Sequence, residues 1–490
     1  MGTAIKVNRG GGASEITNGI IKEYLSQTES INANTFVEFC GSATQLDSVN
    51  IKSQLYTSTY DGYCNAVAID DTHAVLFFNN SSSASAFYYA ISLLLTDTGV
   101  SVINFLNLNS VFTGVQNQTS IYGVKVTGTN YIIAARGLSN YQINLGLFFV
   151  DPTSGTIAFV SQTTVNYAME ELSQPTITIL ELSPGKFLLE VYKTNTSFSY
   201  LVFKVSNQGV VSFDSSKVFT LVSAVNQGST STRILGAINE SKVILISTIQ
   251  QNTNLGVATL SVFNIANDNT ITEDTTTRIP LTLGDMNTSA SIVRTITLKE
   301  GKEFLILFIS SNTYQIGTTG VPSALYNLIK VTYDGESNSI KVSKTIHTLN
   351  FAGQTEVMTY VTKGKLQKID ENRVAIFMRY AIQPYSDAYP IYYCEAYISG
   401  DSIHFSEPML LDSLYDRQNA KNYCLCGKKL LLVTQDILNP TMTVTISQCI
   451  ITTLQLSDTK IKASESAIDG VLQSIATTTK KGKVSILKGD

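Results

Sequence analysis

Few side chains in this 490-residue chain are of the kinds that carry reactions. Three histidines, His73, His347 and His404, are the natural general bases near neutral pH. None has a Ser- or Cys-centred motif beside it, so each reads as a surface or structural residue. Cys424-x-Cys426 would put two thiols on one face of a strand, without the second pair that a zinc site needs. Cys40, Cys64, Cys394 and Cys449 are too few and too irregular for a disulfide framework and read as small buried hydrophobes. Gly10-Gly11-Gly12 has no strand before it and no Gly-Lys-Ser/Thr after it, which sets aside a phosphate loop. A glycosidase needs two placed carboxylates, and among 38 acids no spacing singles out a pair. No catalytic residue, metal or cofactor is therefore expected.

A binding surface is easier to support. Tyr380, Tyr385, Tyr389, Tyr392 and Tyr393 gather around Pro384 and Pro390, and Tyr314 sits in a second long loop, residues 310–322. Tyrosine offers large amphipathic contact area. Tyr392 and Tyr393 fit an ordinary strand equally well, which leaves Tyr314, Tyr380, Tyr385 and Tyr389 as the candidate rim for a partner or a glycan.

The elements that would position these residues come from a recurrence. A polar turn followed by an apolar run appears at His73-Ala74-Val75-Leu76-Phe77-Phe78, Asn130-Tyr131-Ile132-Ile133-Ala134-Ala135, Lys186-Phe187-Leu188-Leu189-Glu190-Val191 and Lys242-Val243-Ile244-Leu245-Ile246. It continues at Glu303-Phe304-Leu305-Ile306-Leu307-Phe308, Arg373-Val374-Ala375-Ile376-Phe377-Met378 and Lys429-Leu430-Leu431-Leu432-Val433, 56 to 70 residues apart. Behind each anchor come a loop, a second apolar strand such as Leu145–Val150, and a tight turn such as Asp97-Thr98-Gly99 or Asn207-Gln208-Gly209. Gly, Asn and Asp supply the positive φ that hairpin turns demand.

Several short strands per repeat with no helical pattern between them exclude a βαβ sheet. The period is too long for a β-helix, and seven copies lie within the range of a propeller. The fold expected is all-β, a seven-bladed β-propeller. Near-continuous apolar anchors suit strands packed on both faces. Whether a strand around residues 49–59 completes the seventh blade is left open by the sequence.

Composition bounds the function. Charged residues are 15% of the chain, against roughly 25% in an average soluble domain. Net charge is −4, and Lys and Arg are scattered, so no nucleic-acid footprint exists. No run approaches a membrane-spanning length, and Met1–Ser14 has no apolar core of a signal peptide. The sequence has no Trp, although the Asp-box turns of propeller sialidases and the β-transducin repeat both depend on it.

The two ends break the repeat. Residues 1–18 read as a flexible arm. Ile20–Leu25 and Phe36–Phe39 read as a half-buried hairpin, with Val37 and Phe39 on one side and Phe36 with Glu38 on the other. Ile468–Leu472 and Lys483–Leu487 read as a closing pair. Ring closure brings the ends of the repeat array together, so residues 19–48 and 464–490 are expected to form one small β-barrel with a propeller, residues 49–463, inserted in it.

These terminal stretches carry a resemblance. Ile21-Lys22-Glu23-Tyr24 with Ser30–Phe39, and Ala467-Ile468-Asp469-Gly470-Val471 with Gly482–Ile486, resemble the split small barrel of tailed-phage virion proteins, especially capsid decoration proteins of the head-fibre type. Asn34 and Leu472 stand where that family usually has Gly and Ala. The resemblance implies a barrel that docks through Phe36, Val37, Phe39, Ile468, Val471, Val484 and Ile486 and brackets a displayed domain. The function it implies is non-enzymatic decoration of the capsid, with the major capsid protein or other virion proteins as partners. The chain would be present in many copies on a virion assembled in the host cytoplasm. The alternative is a tail or baseplate adhesin that holds a host surface glycan on its tyrosine rim.

Overall fold

In the computed structural model the chain is built almost wholly of strands. The structure describes residues 63–81, 86–112, 121–137, 142–166, 177–194, 197–222, 234–252, 255–285, 292–309, 323–350, 358–382, 390–406, 409–415, 423–437 and 447–457 in the blades. Toward the two ends it describes residues 6–9, 12–15, 21–26, 36–40, 43–46, 48–51, 460–463, 472–474 and 483–488.

Seven antiparallel sheets follow one another along the chain. Blade one is Tyr63–Ala68, His73–Ser81, Ala86–Leu95 and Val100–Asn107, and the later blades begin at Tyr122, Ile177, Ile234, Ile292, Met358 and Tyr423. The first strand of each blade lies against the first strand of the next, and Tyr423–Cys426 of blade seven lies against Tyr63–Ala68 of blade one. The ring therefore closes, and the fold is a seven-bladed β-propeller.

The anchor runs are the second strands, and their lack of alternation has a direct cause. In blade four, Val243 and Leu245 pack with Leu188, Tyr200 and Val202 of blade three. Ile244 and Ile246 pack with Phe304, Ile306 and Ile329 of blade five. Both faces of this stretch are core, so Val243–Ile246 is unbroken apolar sequence. Each fully buried Val, Leu or Ile contributes about 1.5–3 kcal/mol, and the core lies between blades rather than within any one of them.

The turns repeat as well. In five blades a third-strand N–H closes onto the carbonyl just before the second strand: Leu95 to Thr72 (2.7 Å), Val150 to Asn130 (2.9 Å), Val205 to Gly185 (2.8 Å), Ile265 to Ser241 (2.7 Å) and Tyr333 to Lys302 (2.8 Å).

Blade seven takes three strands from its own stretch, and its outer edge comes from near the start of the chain. Ala43–Gln45 and Val49–Ile51 both pair with Ser447–Leu456, and the Leu46 N–H bonds Thr453 O at 2.8 Å.

The outermost strands differ in regularity. Register shifts interrupt Val100–Asn107, Ile157–Asn166 and Ile271–Asp285. Blades three, six and seven each split the edge into two short strands. Bulges and breaks of this kind keep an edge from pairing with other chains. Blade five uses neither: Ser339–Asn350 pairs with Ser323–Asp334 over twelve residues without a shift.

Toward the ends, five strands close into a barrel in the order Ile21–Ser26, Lys460–Ala463, Phe36–Cys40, Leu472–Ser474, Lys483–Lys488. The opening segments do not form the expected hairpin. Lys460–Ala463 lies between them, parallel to Ile21–Ser26 and antiparallel to Phe36–Cys40. The boundaries shift accordingly: Lys460–Ala463 belongs with the barrel, and Ala43–Gln45 with blade seven. Within the expected arm, Lys6–Arg9 pairs with Gly12–Glu15. The chain divides into two compact units, Met1–Ala43 with Cys394–Met409 and Leu456–Asp490, and Thr44–Tyr393 with Leu410–Gln455.

Candidate functional site

The barrel brings most of the expected docking residues into one closed sheet. Val37 stands opposite both Ala463 and Leu472, Phe36 opposite Gln473, and Phe39 opposite Ile461. Val484 stands opposite Tyr24, and Ile486 opposite both Lys22 and Ser474. Ile468 and Val471 lie outside the described residues.

The tyrosine cluster divides. Tyr392 and Tyr393 are buried strand residues. The Tyr393 ring stands 5.6 Å from Phe377, which stands 5.6 Å from Tyr423 of blade seven, so this part of the cluster is interblade core. Burial pushes the Tyr392 phenol up. Tyr380 is on the second strand of blade six opposite Val361, while Tyr314, Tyr385 and Tyr389 lie outside the described residues.

His73 is held by its own turn. Its Nδ1 meets Asp70 Oδ2 at 3.0 Å and Thr72 Oγ1 at 3.1 Å. Its ring lies against blade two at Gly155, where an added Cβ would come within 2.7 Å of His73 Cδ2. Gly155 also has φ +70°, so the position requires glycine twice over. Burial opposes ionisation of Asp70, yet hydrogen bonds from Thr72 and His73 hold its carboxyl below the usual range. The assembly is a seam contact. His347 and His404 occupy strand positions opposite Tyr326 and Tyr397.

Cys64, Cys394, Cys424 and Cys426 are buried. Cys424 and Cys426 are 3.9 Å apart, and the Cys426 thiol donates to His73 O at 3.6 Å. The neighbouring Cys424 and burial both push the Cys426 thiol up, which keeps it protonated. Burial does the same to Cys394. Among the described residues no group of three or more His, Cys, Asp or Glu is placed to hold a metal.

Two features escaped the sequence reading. The first is a set of seam latches made by the lysine that opens three of the anchors. Lys186 Nζ bonds Glu240 O of blade four at 2.7 Å, Lys242 Nζ bonds Asn338 Oδ1 of blade five at 3.3 Å, and Lys429 Nζ pairs with Asp97 of blade one at 3.0 Å. Beside them, Thr127 donates from N (3.0 Å) and Oγ1 (2.5 Å) to Glu181 of blade three. Lys217 pairs with Asp268 of blade four at 2.7 Å.

One of these acids, Asp268, sits in a recurring Asp/Asn-x-Ser/Thr turn. The first residue accepts from the third residue's N–H at Asp70 (2.7 Å), Asp214 (2.9 Å), Asn239 (2.9 Å), Asp268 (3.0 Å) and Asp274 (3.1 Å). The Lys217 ammonium, with the N–H and hydroxyl of Thr270, holds Asp268 down at about 2.

The second feature is buried charge. Arg136 is fully buried: Nη1 donates to Phe112 O at 2.7 Å, Nη2 to the Tyr88 hydroxyl, and the guanidinium lies 3.7 Å over the Tyr88 ring. Glu190 accepts from Tyr200 OH at 3.1 Å, and Glu395 from Tyr397 OH at 2.5 Å. A polar residue at the end of an apolar run was the available signal; its burial depends on partners from distant positions.

No protein-family model matches the sequence, and no curated protein matches it. Similar solved structures include the WD40 domain of SCAP from fission yeast, at 9% identity over 86% of this chain and 98% of that one, TM-score 0.35. The hemagglutinin-neuraminidase of parainfluenza virus 5 is similar at 10% identity over 88% and 100%, TM-score 0.37. A mutant of the Aleuria aurantia lectin, in complex with α-methyl-L-fucoside, is similar at 11% identity over 73% and 97%, TM-score 0.34. Likenesses this distant decide nothing about chemistry, and the ring of blades rests on the strand pairings above.

Proposed function

We propose that this chain is a non-enzymatic structural protein of a tailed-phage particle, attached to the capsid surface through the terminal barrel and displaying the propeller. One observation supports the reading above others. The two terminal stretches that resemble the split barrel of decoration proteins are direct strand partners, Ile21–Leu25 with Lys483–Leu487 and Val37 with Leu472. A closed sheet has no open edge to pair adventitiously, which suits an attachment module repeated at high local density. Many equivalent copies on a lattice also allow each barrel to bind weakly while the particle retains the coat.

The test is the position of the protein on purified particles of the phage that encodes it. Density over the capsid lattice is the expected result. Density confined to the tail tip would replace this reading with the glycan-binding adhesin, and glycan-array binding lost in Tyr385→Ala/Tyr389→Ala would then assign the rim. Absence from particles would end both. A variant reduced to residues 44–455 keeps both outer strands of blade seven and is expected to stay folded yet fail to join particles. Attachment of that variant would remove the barrel from the docking role.

A further inference from the structure

We infer that the outer edge of blade five, Ser339–Asn350, is a strand-addition site for an extended acidic segment of a partner protein. Among the described residues the strand ends its sheet, and it pairs inward over all twelve residues with no register shift. Bulges interrupt the outer strands of blades one, two and four, and blades three, six and seven split theirs. Blade two adds a further guard, because Asn104 of blade one bonds both the N–H (3.2 Å) and the carbonyl (3.3 Å) of Ile157 on its outer strand. A long regular edge is a template for another strand, since main-chain groups supply the affinity and side chains the selectivity.

The chemistry of the partner follows from charge. Ser339–Asn350 contains Lys341, Lys344 and His347 and no carboxylate. Lys341 is exposed. Like charges set opposite each other across a strand pair are unfavourable, and opposite charges are favourable. Lys341 therefore works against a lysine and favours Asp or Glu at the facing position of an added strand. At about 3.4 Å per residue, the edge offers roughly 40 Å of pairing.

The experiment uses the full chain and two synthetic dodecapeptides, one alternating Thr with Glu and one alternating Thr with Lys. The Thr-Glu peptide is expected to bind in a salt-sensitive way and to slow amide exchange within residues 339–350. The Thr-Lys peptide is expected to do neither. Lys341→Glu should weaken Thr-Glu binding about threefold or more, as an attractive cross-strand pair becomes repulsive. If that variant fails to fold, the comparison of the two peptides on the unaltered chain still decides. Equal binding of both peptides would overturn the inference. So would binding without protection at residues 339–350, or an edge that pairs with neither peptide because its lysines only guard it.

Discussion

Gly236 is where the ring of blades can be tested with one methyl group. It lies on the first strand of blade four, opposite Ile244, and its α-carbon faces Phe304 of blade five. An added Cβ would stand 2.4 Å from Phe304 Cε1, 2.5 Å from Cδ1 and 2.8 Å from Thr297 Oγ1. Ordinary contact begins near 3.4 Å, so the ring must retreat by about 1 Å. Phe304 is fully buried in the cluster shared by blades four and five, among Ile244, Ile306 and Ile329, and cannot swing aside. Overpacking of this kind costs about 1–3 kcal/mol. Alanine recovers about 0.5–1 kcal/mol by restricting the unfolded chain. The net expectation for Gly236→Ala is a loss of about 1–2 kcal/mol, read as a lower urea midpoint by circular dichroism. Phe304→Leu leaves room for the methyl, so the double variant should be more stable than the sum of the singles by about 1 kcal/mol. An unchanged midpoint for Gly236→Ala, or strict additivity with Phe304→Leu, would refute the packing of these two blades.

Other expectations address the seams and the buried groups. Asp268, at about 2 in the fold against an ordinary 3.8, stabilises the folded state above pH 3.8. That contribution fades as pH falls toward 2, so thermal midpoints across this window should flatten in Asp268→Asn. Arg136→Met leaves Phe112 O and the Tyr88 hydroxyl without their guanidinium donor and should cost about 2 kcal/mol, with faster amide exchange at residues 108–112. Arg136→Lys should not restore it, because an ammonium lacks the planar fork. At the closing seam, Gly427 has φ +56° and lies so near Asp71 that an added Cβ would meet the Asp71 Cβ at 3.0 Å. Gly427→Ala should therefore destabilise by more than Lys429→Met, whose exposed pair with Asp97 contributes at most about 1 kcal/mol. Cys64, Cys394, Cys424 and Cys426 should resist a thiol reagent until the protein is unfolded, whereas rapid labelling would contradict their burial.

The blades were legible because their determinants are local. An anchor such as Val243–Ile246 has both faces in core, a condition that writes itself as unbroken apolar sequence. Turns such as Asp97-Thr98-Gly99 carry their own conformational chemistry. The place of Lys460–Ala463 was not legible, because its partners, Leu25–Ser26 and Val37–Cys40, lie more than four hundred residues away. Four residues reading Lys-Ile-Lys-Ala have too little pattern to separate a barrel strand from the tail of a blade. Arg136 failed for the same reason: after Tyr131–Ala135 it reads as the polar end of a strand. Tyr88 and Phe112, brought in from blade one and the segment after it, meet its guanidinium in the interior.

The polar residues that open the anchors sharpen where function should be sought. Lys186, Lys242 and Lys429 each open an anchor run. In the fold each spends its ammonium on the neighbouring blade, and Lys429 joins the last blade to the first. A charge already committed to a seam is a poor recruiter of ligand, because a partner must first displace the bond it makes. The recurring Asp/Asn-x-Ser/Thr turns behave in the same way, with Asp70, Asp214, Asp268 and Asp274 occupied by their own backbone. Repetition here marks what closes the ring. Both proposed contacts lie in features that do not repeat: the barrel built from both ends of the chain, and the edge of blade five, which is neither bulged nor broken.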